Sequence, residues 1–376
     1  MLLFQFLSDT WDHIQESLFP WLTEEVGPLT DMHRKLIAIL EVSRIHGFVQ
    51  SWVGLPGRPP RDRAALARAF IAKAVMQIPT TVMLIERLRT DKQLRRLCGW
   101  ETSGQVPSEA TFSRAFAEFA RSELPSRVHE ALIKRTHEDR IVGHISRDAT
   151  AIEAREKPVS VSAPEKPKRK RGRPKKGVVV AKQPRRLERQ GTMSLAEMLA
   201  DLPTHCSVGT KRNAKGHTVS WIGYKLHLDV ADGDIPVSAV LTSASLHDSQ
   251  AAIPLAMVTA RRVSNLYDLM DSAYDVPEIA AGSRALGHVP IIDKNPRNTA
   301  VKEELETEVR ARKAAGYTLA EDVRYNERSA SERVNARLKD DFGGRNVRVR
   351  GHTKVLCHMM FAVLTLAADQ IMRLII

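Results

Sequence analysis

The stretch SWIGYKLHLDV, Ser220 to Val230, followed by Asp232-Gly233-Asp234 and then by IPVSAVLTS, Ile235 to Ser243, decides the fold class. The first run alternates, with Trp221, Tyr224 and Leu226 among its bulky residues, which is the period-two pattern of a strand with unlike faces. A second β-rich run after a short Asp/Gly turn makes the pair an antiparallel hairpin. Upstream, RIVGHISRD (Arg140 to Asp148) reads as a short strand that Asp148 ends. Downstream come a helix from Asp248, its candidate N-cap, to about Val263, and a strand LYDLMD from Leu266 to Asp271. A helix from Val276 to Leu286 and a strand VPIID from Val289 to Asp293 follow. Helices then span Ala300 to Ala314, Tyr325 to Asp341 and His352 to Ile376. This order predicts an α/β domain, a mixed sheet with helices packed on it.

Residues 1 to about 135 read differently. Apolar-periodic segments run through Asp31 to Val49, Arg61 to Gln77 and Thr81 to Leu97, with breaks at Pro56, Pro59, Pro60 and Pro79, so an all-α N-terminal domain is expected. In VPSEATFSRAFAEF, Ser108 is an N-cap candidate and Phe112, Ala115, Phe116 and Phe119 form an apolar stripe. The preceding segment carries Arg87, Arg89, Lys92, Arg95 and Arg96. Two helices with a basic rim suit a helix-turn-helix-like DNA reader; a plain bundle with solvated arginines gives the same pattern.

The net charge of the 376 residues is +13, and most of it is in one place. Between Pro164 and Gln190 stand twelve Lys or Arg and two Glu, +10 in 27 residues. Such a block repels itself and seeks a polyanion, nucleic acid before an acidic membrane. The segment from about 155 to 205 therefore reads as a disordered basic arm inserted into the α/β domain, which otherwise runs from 136 to 376. Within it, Arg171-Gly172-Arg173-Pro174 is the core of an AT-hook. Gly172 lets the backbone lie in a narrow groove while Arg171 and Arg173 enter an A·T-rich minor groove. A nonspecific basic arm is the alternative. Cys98, Cys206 and Cys357 have no metal-site spacing, and the N-terminus makes a poor signal peptide. The apolar segment from Val355 is interrupted by His358, Asp369 and Arg373, so a core helix is expected rather than a membrane span. A cytoplasmic protein is expected.

Chemistry concentrates on a few residues. At 3.6 residues per turn, Arg328, Glu332 and Lys339 fall within a narrow stripe with Tyr325, and Val334 and Leu338 fall on the opposite side. A carboxylate among phosphate-seeking groups suits metal-dependent chemistry on a polyanion. Salt bridging at i, i+4 on a surface helix is the plainer reading. Asp148 and Asp271 stand at strand ends, where functional groups collect. Carboxylates gathered there need a cation, and Mg²⁺ takes a few carboxylates plus waters and phosphate oxygens. Asp268, inside the same strand as Asp271, is a second-ranked ligand. His247-Asp248 is a capping or outer-shell pair.

The set Asp148-x-Thr150, Asp271-x-x-Tyr274 and Tyr325-x-x-Arg328-x-x-x-Glu332 with Lys339 resembles the DDE transposases of bacterial insertion sequences, nearest the group with a Tyr-Arg-Glu-Lys signature. GTKRNAKGHTVSWIGYKLHLDV and SLHDSQAAIP are similar to strand and strand-to-helix segments of that group, and VPSEATFSRAFAEF to its N-terminal helical region. The resemblance implies a ribonuclease-H-like fold and a two-metal site, with Asp148, Asp271 and Glu332 as ligands to two Mg²⁺, for which Mn²⁺ substitutes. It also implies that Tyr325, Arg328 and Lys339 hold DNA phosphates. The expected partners are double-stranded DNA, as terminal inverted repeats and target, and a second copy of the chain in a homodimer on paired ends. No membrane partner is expected, and the setting would be the bacterial nucleoid. Asp271 and Glu332 lie 61 positions apart with no Trp between them, so the β-rich insertion of members that cut through a DNA hairpin is missing. Two other functions suit parts of the chain: a catalytically silent DNA-binding regulator derived from a transposase, and a different nuclease on the same fold.

Overall fold

The computed structural model describes residues 3–49, 61–138, 140–159, 184–212, 216–296 and 299–374. Arg171, Gly172, Arg173 and Pro174 lie outside the described residues, as do Pro56, Pro59 and Pro60.

Among the described residues, eight α-helices occupy the N-terminal third: α1 (Leu3–His13), α2 (Phe19–Val26), α3 (Asp31–Ser43), α4 (Arg63–Val75), α5 (Thr81–Thr90), α6 (Lys92–Cys98), α7 (Glu109–Arg121) and α8 (Leu124–His137). The expected segment Thr81 to Leu97 is two helices, because Asp91 leaves the helical conformation and its carboxylate caps α6 through the Leu94 N–H. Phe112, Ala115, Phe116 and Phe119 are buried together, as their spacing requires.

The sheet contains β1 (Ile141–Glu153), β2 (Ser207–Arg212), β3 (Thr218–Ala231), β4 (Ile235–Ser243), β5 (Ser264–Met270) and β6 (Val289–Ile292). β3, β1, β5 and β6 lie side by side, β3 antiparallel to β1 and the rest parallel, so the sheet is mixed. β2 pairs with the first half of β3, and β4 with its second half across the Asp232–Asp234 turn. Gly233 and Asp234 both take positive φ there, the twist a tight hairpin needs. Gly223 sits where β3 changes partners; its φ is +152°, and a Cβ would meet the Ile152 carbonyl oxygen at 2.1 Å. Only glycine fits that crossing.

Three expectations are corrected here. β1 does not end at Asp148: β3 offers it partners without interruption from Ala231 to Gly223, so it runs to Glu153. The residue pattern did not mark β2, since its exposed Lys211 and Arg212 do not look like strand residues, and only the resemblance of the stretch from Gly209 touched it. The basic arm is not unstructured up to 205. α9 (Arg186–Gln190) and α10 (Leu195–Asp201) form inside it. The Ser194–Glu197 capping box starts α10, and Leu195, Met198 and Leu202 are buried.

Six further helices complete the fold: α11 (Ala252–Ala260), α12 (Pro277–Ala285), α13 (Thr299–Ala314), α14 (Ala320–Tyr325), α15 (Ser329–Asp340) and α16 (His352–Arg373). Leu226 and Leu228 of β3 join Val334 and Leu338 of α15 and Met359 and Val363 of α16 in one core. The opposite face of β3 presents Asp229 to Thr259 of α11. The sheet is therefore sandwiched between helices. α16 is long and apolar enough to cross a membrane, but most of it is buried between the sheet and α3, α4, α7 and α8. Its Asp369 gathers Lys35 of α3 (3.0 Å), Arg337 of α15 (2.6 Å) and Arg373 (3.0 Å).

At the centre, Arg147 of β1 makes two 2.7 Å hydrogen bonds to Asp229, its register partner on β3, and both side chains are fully buried. Thr259 also donates to Asp229 (2.6 Å). Arg147→Met leaves a buried carboxylate without its counterion and is expected to cost about 3–5 kcal/mol. Urea denaturation should show that loss, and the double change Arg147→Met with Asp229→Leu should recover most of it.

Candidate active site

Strand alternation sends Asp148 to the face opposite Arg147. Arg147 pairs with Met270 across the parallel β1–β5 ladder, so Asp148 and Asp271 occupy the next position on each neighbouring strand. Such strands lie about 4.8 Å apart. β5 ends at Met270, and Asp271 accepts the Ala273 N–H (2.9 Å), capping the turn that leaves the sheet.

Burial pushes the Asp148 carboxyl up to about 6; the charges of Asp271 and Asp248 push the same way, while the Ala149 N–H and Lys211 oppose them. Asp271 is also raised, by burial and then by Asp248, against the pull of the Ala273 N–H, Arg328 and Lys211. Two desolvated carboxylates on neighbouring strands, both held above their ordinary range, fit a divalent cation, which would remove the cost of ionising them. Two orphaned polar atoms lie close by: the buried Tyr274 hydroxyl, raised by burial and by Asp248 and Asp148, and the buried Asn335 Oδ1. Both suit water molecules such an ion carries.

α15 lies across this face. Ser146 donates to the Arg328 carbonyl (2.6 Å), Asn335 Nδ2 to Asp148 Oδ2 (3.1 Å), and Arg333 grips Asp234 of the hairpin turn with two bonds (2.7 and 2.9 Å). Val334 and Leu338 are buried, as their helical positions require. The single helix expected from Tyr325 to Asp341 is interrupted. α14 ends at Tyr325, and Asn326–Arg328 tighten into a 3₁₀ turn before α15. The Ser329 and Ser331 hydroxyls donate to the Asn326 and Arg328 carbonyls (both 2.9 Å), offering the backbone local partners. The tighter turn adds roughly 20° per residue and rotates Tyr325 relative to Glu332.

The three acids are not gathered together. Glu332 is 58% exposed and accepts Arg328 at 2.8 Å, the i, i+4 salt bridge of the plainer reading. Among the described residues no three acidic, imidazole or thiolate groups converge closely enough to hold a metal ion. Arg328 stands 5.7 Å over the Tyr325 ring and acts electrostatically on Asp271 as well. Lys339 is lowered by burial, then by Arg345 and Lys211, so it stands near Lys211, which together with Arg328 acts on Asp271.

Lys211 and Asn335 were not anticipated. Lys211 lies on the unrecognised strand, and Asn335, three residues after Glu332, carried no charge to mark it. Asp248 does not cap a helix: its carboxylate takes Lys225 Nζ (2.8 Å) while its charge reaches both site acids. Asp268 is buried against His288 (3.3 Å) and Asn265 (3.0 Å), so it faces away from the site. Of the basic rim, Arg95 bonds backbone carbonyls, Arg96 pairs with Glu101 (2.8 Å) and Arg87 pairs with Asp91 (3.2 Å), which leaves Arg89 and Lys92 toward solvent.

Because folding raises the Asp148 pKa, its contribution to stability is full below about pH 4 and lost as pH rises through about 6. Asp148→Asn, without divalent cations, is expected to stabilise the protein by about 1–3 kcal/mol near pH 8, with the gain vanishing near pH 4. Urea denaturation at the two pH values checks this.

Two families match the chain. One, described as Transposase DDE domain, covers residues 145–367, from β1 into α16 and across Asp148, Asp271 and Glu332. The other, described as a transposase domain, covers residues 22–118 of the helical region. No curated protein and no solved structure matches. A mixed sheet between helices, two adjoining strand-borne aspartates and a match over more than half the residues lead to one conclusion: the chain belongs to the DDE-type transposases of insertion sequences.

Proposed function

We propose that this transposase cuts DNA at the ends of its element and transfers the freed 3′-hydroxyl into target DNA. The observation that carries this reading is the pair of Asp148 on β1 and Asp271 just past the end of the adjoining β5, both raised in pKa, beside the turn into α15 that brings Arg328 to Asp271. Asp148, Asp271 and Glu332 would hold two Mg²⁺ ions, or Mn²⁺ in their place. Ions bound there lower the pKa of an attacking water and stabilise the leaving oxygen.

The chain's own groups supply the rest. Arg328 grips two non-bridging phosphate oxygens with its planar fork, while Lys211 and Lys339 act as point charges. Phosphate competes with Glu332 for that fork, so DNA frees the carboxylate to turn toward the aspartates. Asn335 and the Ala149 N–H hold the Asp148 carboxylate in place. A water oxygen attacks the scissile phosphorus in line as the 3′-oxygen leaves with its electron pair and takes a proton. The resulting 3′-hydroxyl then attacks a target phosphate in the same way, without a covalent enzyme intermediate. A homodimer would hold the two ends. The basic arm would search DNA, with Arg171, Gly172, Arg173 and Pro174 in the minor groove.

The alternative to be tested against it is a silent DNA-binding regulator, in which Glu332 stays paired with Arg328 and never joins the other two acids. The discriminating assay is linear DNA carrying the flanking terminal repeats with Mg²⁺. Wild type should nick at the element boundary, and Asp271→Asn should bind the ends without cutting. Normal cutting by Asp271→Asn would overturn the ligand assignment, and binding without cutting by wild type under any metal would favour the regulator. For the arm, Arg173→Lys should lose preference for A·T-rich duplexes while keeping most of its affinity; unchanged preference in a competition assay would leave only a nonspecific arm.

A further inference from the structure

Among the described residues, one concentration of cations without ion pairs lies in a cavity that the aspartates do not line. A cavity of about 620 Å³ opens between the N-terminal helices and the segment joining α15 to α16. Lys73, Arg155, Arg348, Arg350 and Lys354 line it, against one carboxylate, Glu109. None of the five cations has an ion pair among the described residues, although most arginines elsewhere in the fold near an acid do. Arg348, Arg350, Lys354 and Arg155 are exposed at the rim, and Lys73 is half-buried at the base. Below them, Phe70, Phe112, Phe116 and Phe361 form a packed aromatic floor with no polar partner to offer. Lys73 is lowered to about 8, by burial and then by Arg348. His358 beside it is lowered to about 4 by burial and by Lys73, and its Nε2 is 3.2 Å from the Gly343 carbonyl oxygen, so it brings no counter-charge.

A half-buried ammonium facing a guanidinium is a costly arrangement that a bound anion relieves. We propose that this cleft grips the sugar-phosphate backbone of duplex DNA, as a second contact remote from Asp148 and Asp271. Three features favour a DNA strand over a small phosphate. The cleft is open, its rim cations run from Arg348 and Arg350, before α16, to Lys354 in the first turn of α16, and Arg155 lies nine residues before the basic block that starts at Pro164. The cleft also joins the two matched regions, residues 22–118 through Lys73 and residues 145–367 through the other four cations. A strand held there would fix the helical region against the catalytic sheet. The inference rests on the DNA-cutting reading only in that the ligand is DNA.

The test uses the full chain and two duplexes, one with the terminal repeat and one unrelated. Lysine acylation read by mass spectrometry should show Lys73 and Lys354 protected by duplex, with Lys302 on α13 labelled as before. Protection by either duplex supports a backbone grip; protection by ATP or pyrophosphate but not by duplex overturns it. The triple change of Arg348, Arg350 and Lys354 to Gln alters exposed residues and should leave the melting temperature in place. It should weaken duplex binding at least tenfold, and lower the slope of log affinity against log salt by about 2 to 3. Lys73→Gln should weaken binding severalfold with the same cutting position. An equal loss on changing Lys302, Arg310 and Lys313 to Gln would mean only a diffuse field and would sink the proposal. Wild type that binds no duplex would defeat the functional reading itself, whereas wild-type affinity in the cleft variants defeats the cleft alone.

Discussion

The bidentate pair between Arg147 and Asp229 is the constraint on which the site depends. Two charges withdrawn from water cost several kcal/mol each unless their hydrogen bonds are made. The pair is made only when these two residues stand opposite one another on β1 and β3. A slip of one residue would break it and turn every side chain to the other face. Asp148 is the next residue after Arg147, so the same register that satisfies the buried arginine aims Asp148 toward α15. Met270, which Arg147 touches at 3.5 Å, sets Asp271 in the same way one step beyond it. The acids owe their placement to a pair they never contact.

What that placement creates is a local excess of negative charge in a partly dry place. Asp148, Asp271 and Asp248 each disfavour ionisation of a neighbour, and the fold answers with Lys211, Lys225 and Arg328 around them rather than by moving the acids apart. Arg328 stands between two claims, the Glu332 carboxylate it holds and the aspartates it influences. Any anion with the fork geometry of a phosphate competes for the same guanidinium.

Much of this was legible in the sequence, and the misses have physical causes. The alternation from Ser220 to Val230 and the Asp-Gly-Asp turn gave the hairpin because both patterns are local. Asp271 was placed at the end of its strand, since it follows the apolar Leu269 and Met270 and its carboxylate caps the turn that leaves the sheet. Asp148 was set at a strand end because Ala149 and Ala151 are weak strand formers; the long partner β3 overrode that preference. β2 was hidden by its lysine and arginine, which an edge position tolerates. α10 carried a visible capping box, Ser194 to Glu197, but the charge count of the surrounding arm obscured it. The offset of four between Arg328 and Glu332 allowed the salt bridge. Which partner Arg328 prefers depends on groups outside the chain, so no pattern of residues could decide it.

The carboxylate of Asp369 has a consequence for how the protein can be divided. It sits on α16 and is shared by Lys35 of the helical region and Arg337 of the helix that carries Glu332, while α16 itself fills the space between the two regions. The matched stretches 22–118 and 145–367 therefore share a hydrophobic seam instead of a hinge. A fragment ending near residue 138 would bare the flanks of Phe70, Phe116 and Phe119 that Phe361 covers, and one starting there would bare α16. Recognition and chemistry in this chain are parts of one solid body, and neither is expected to survive as a soluble piece without the other.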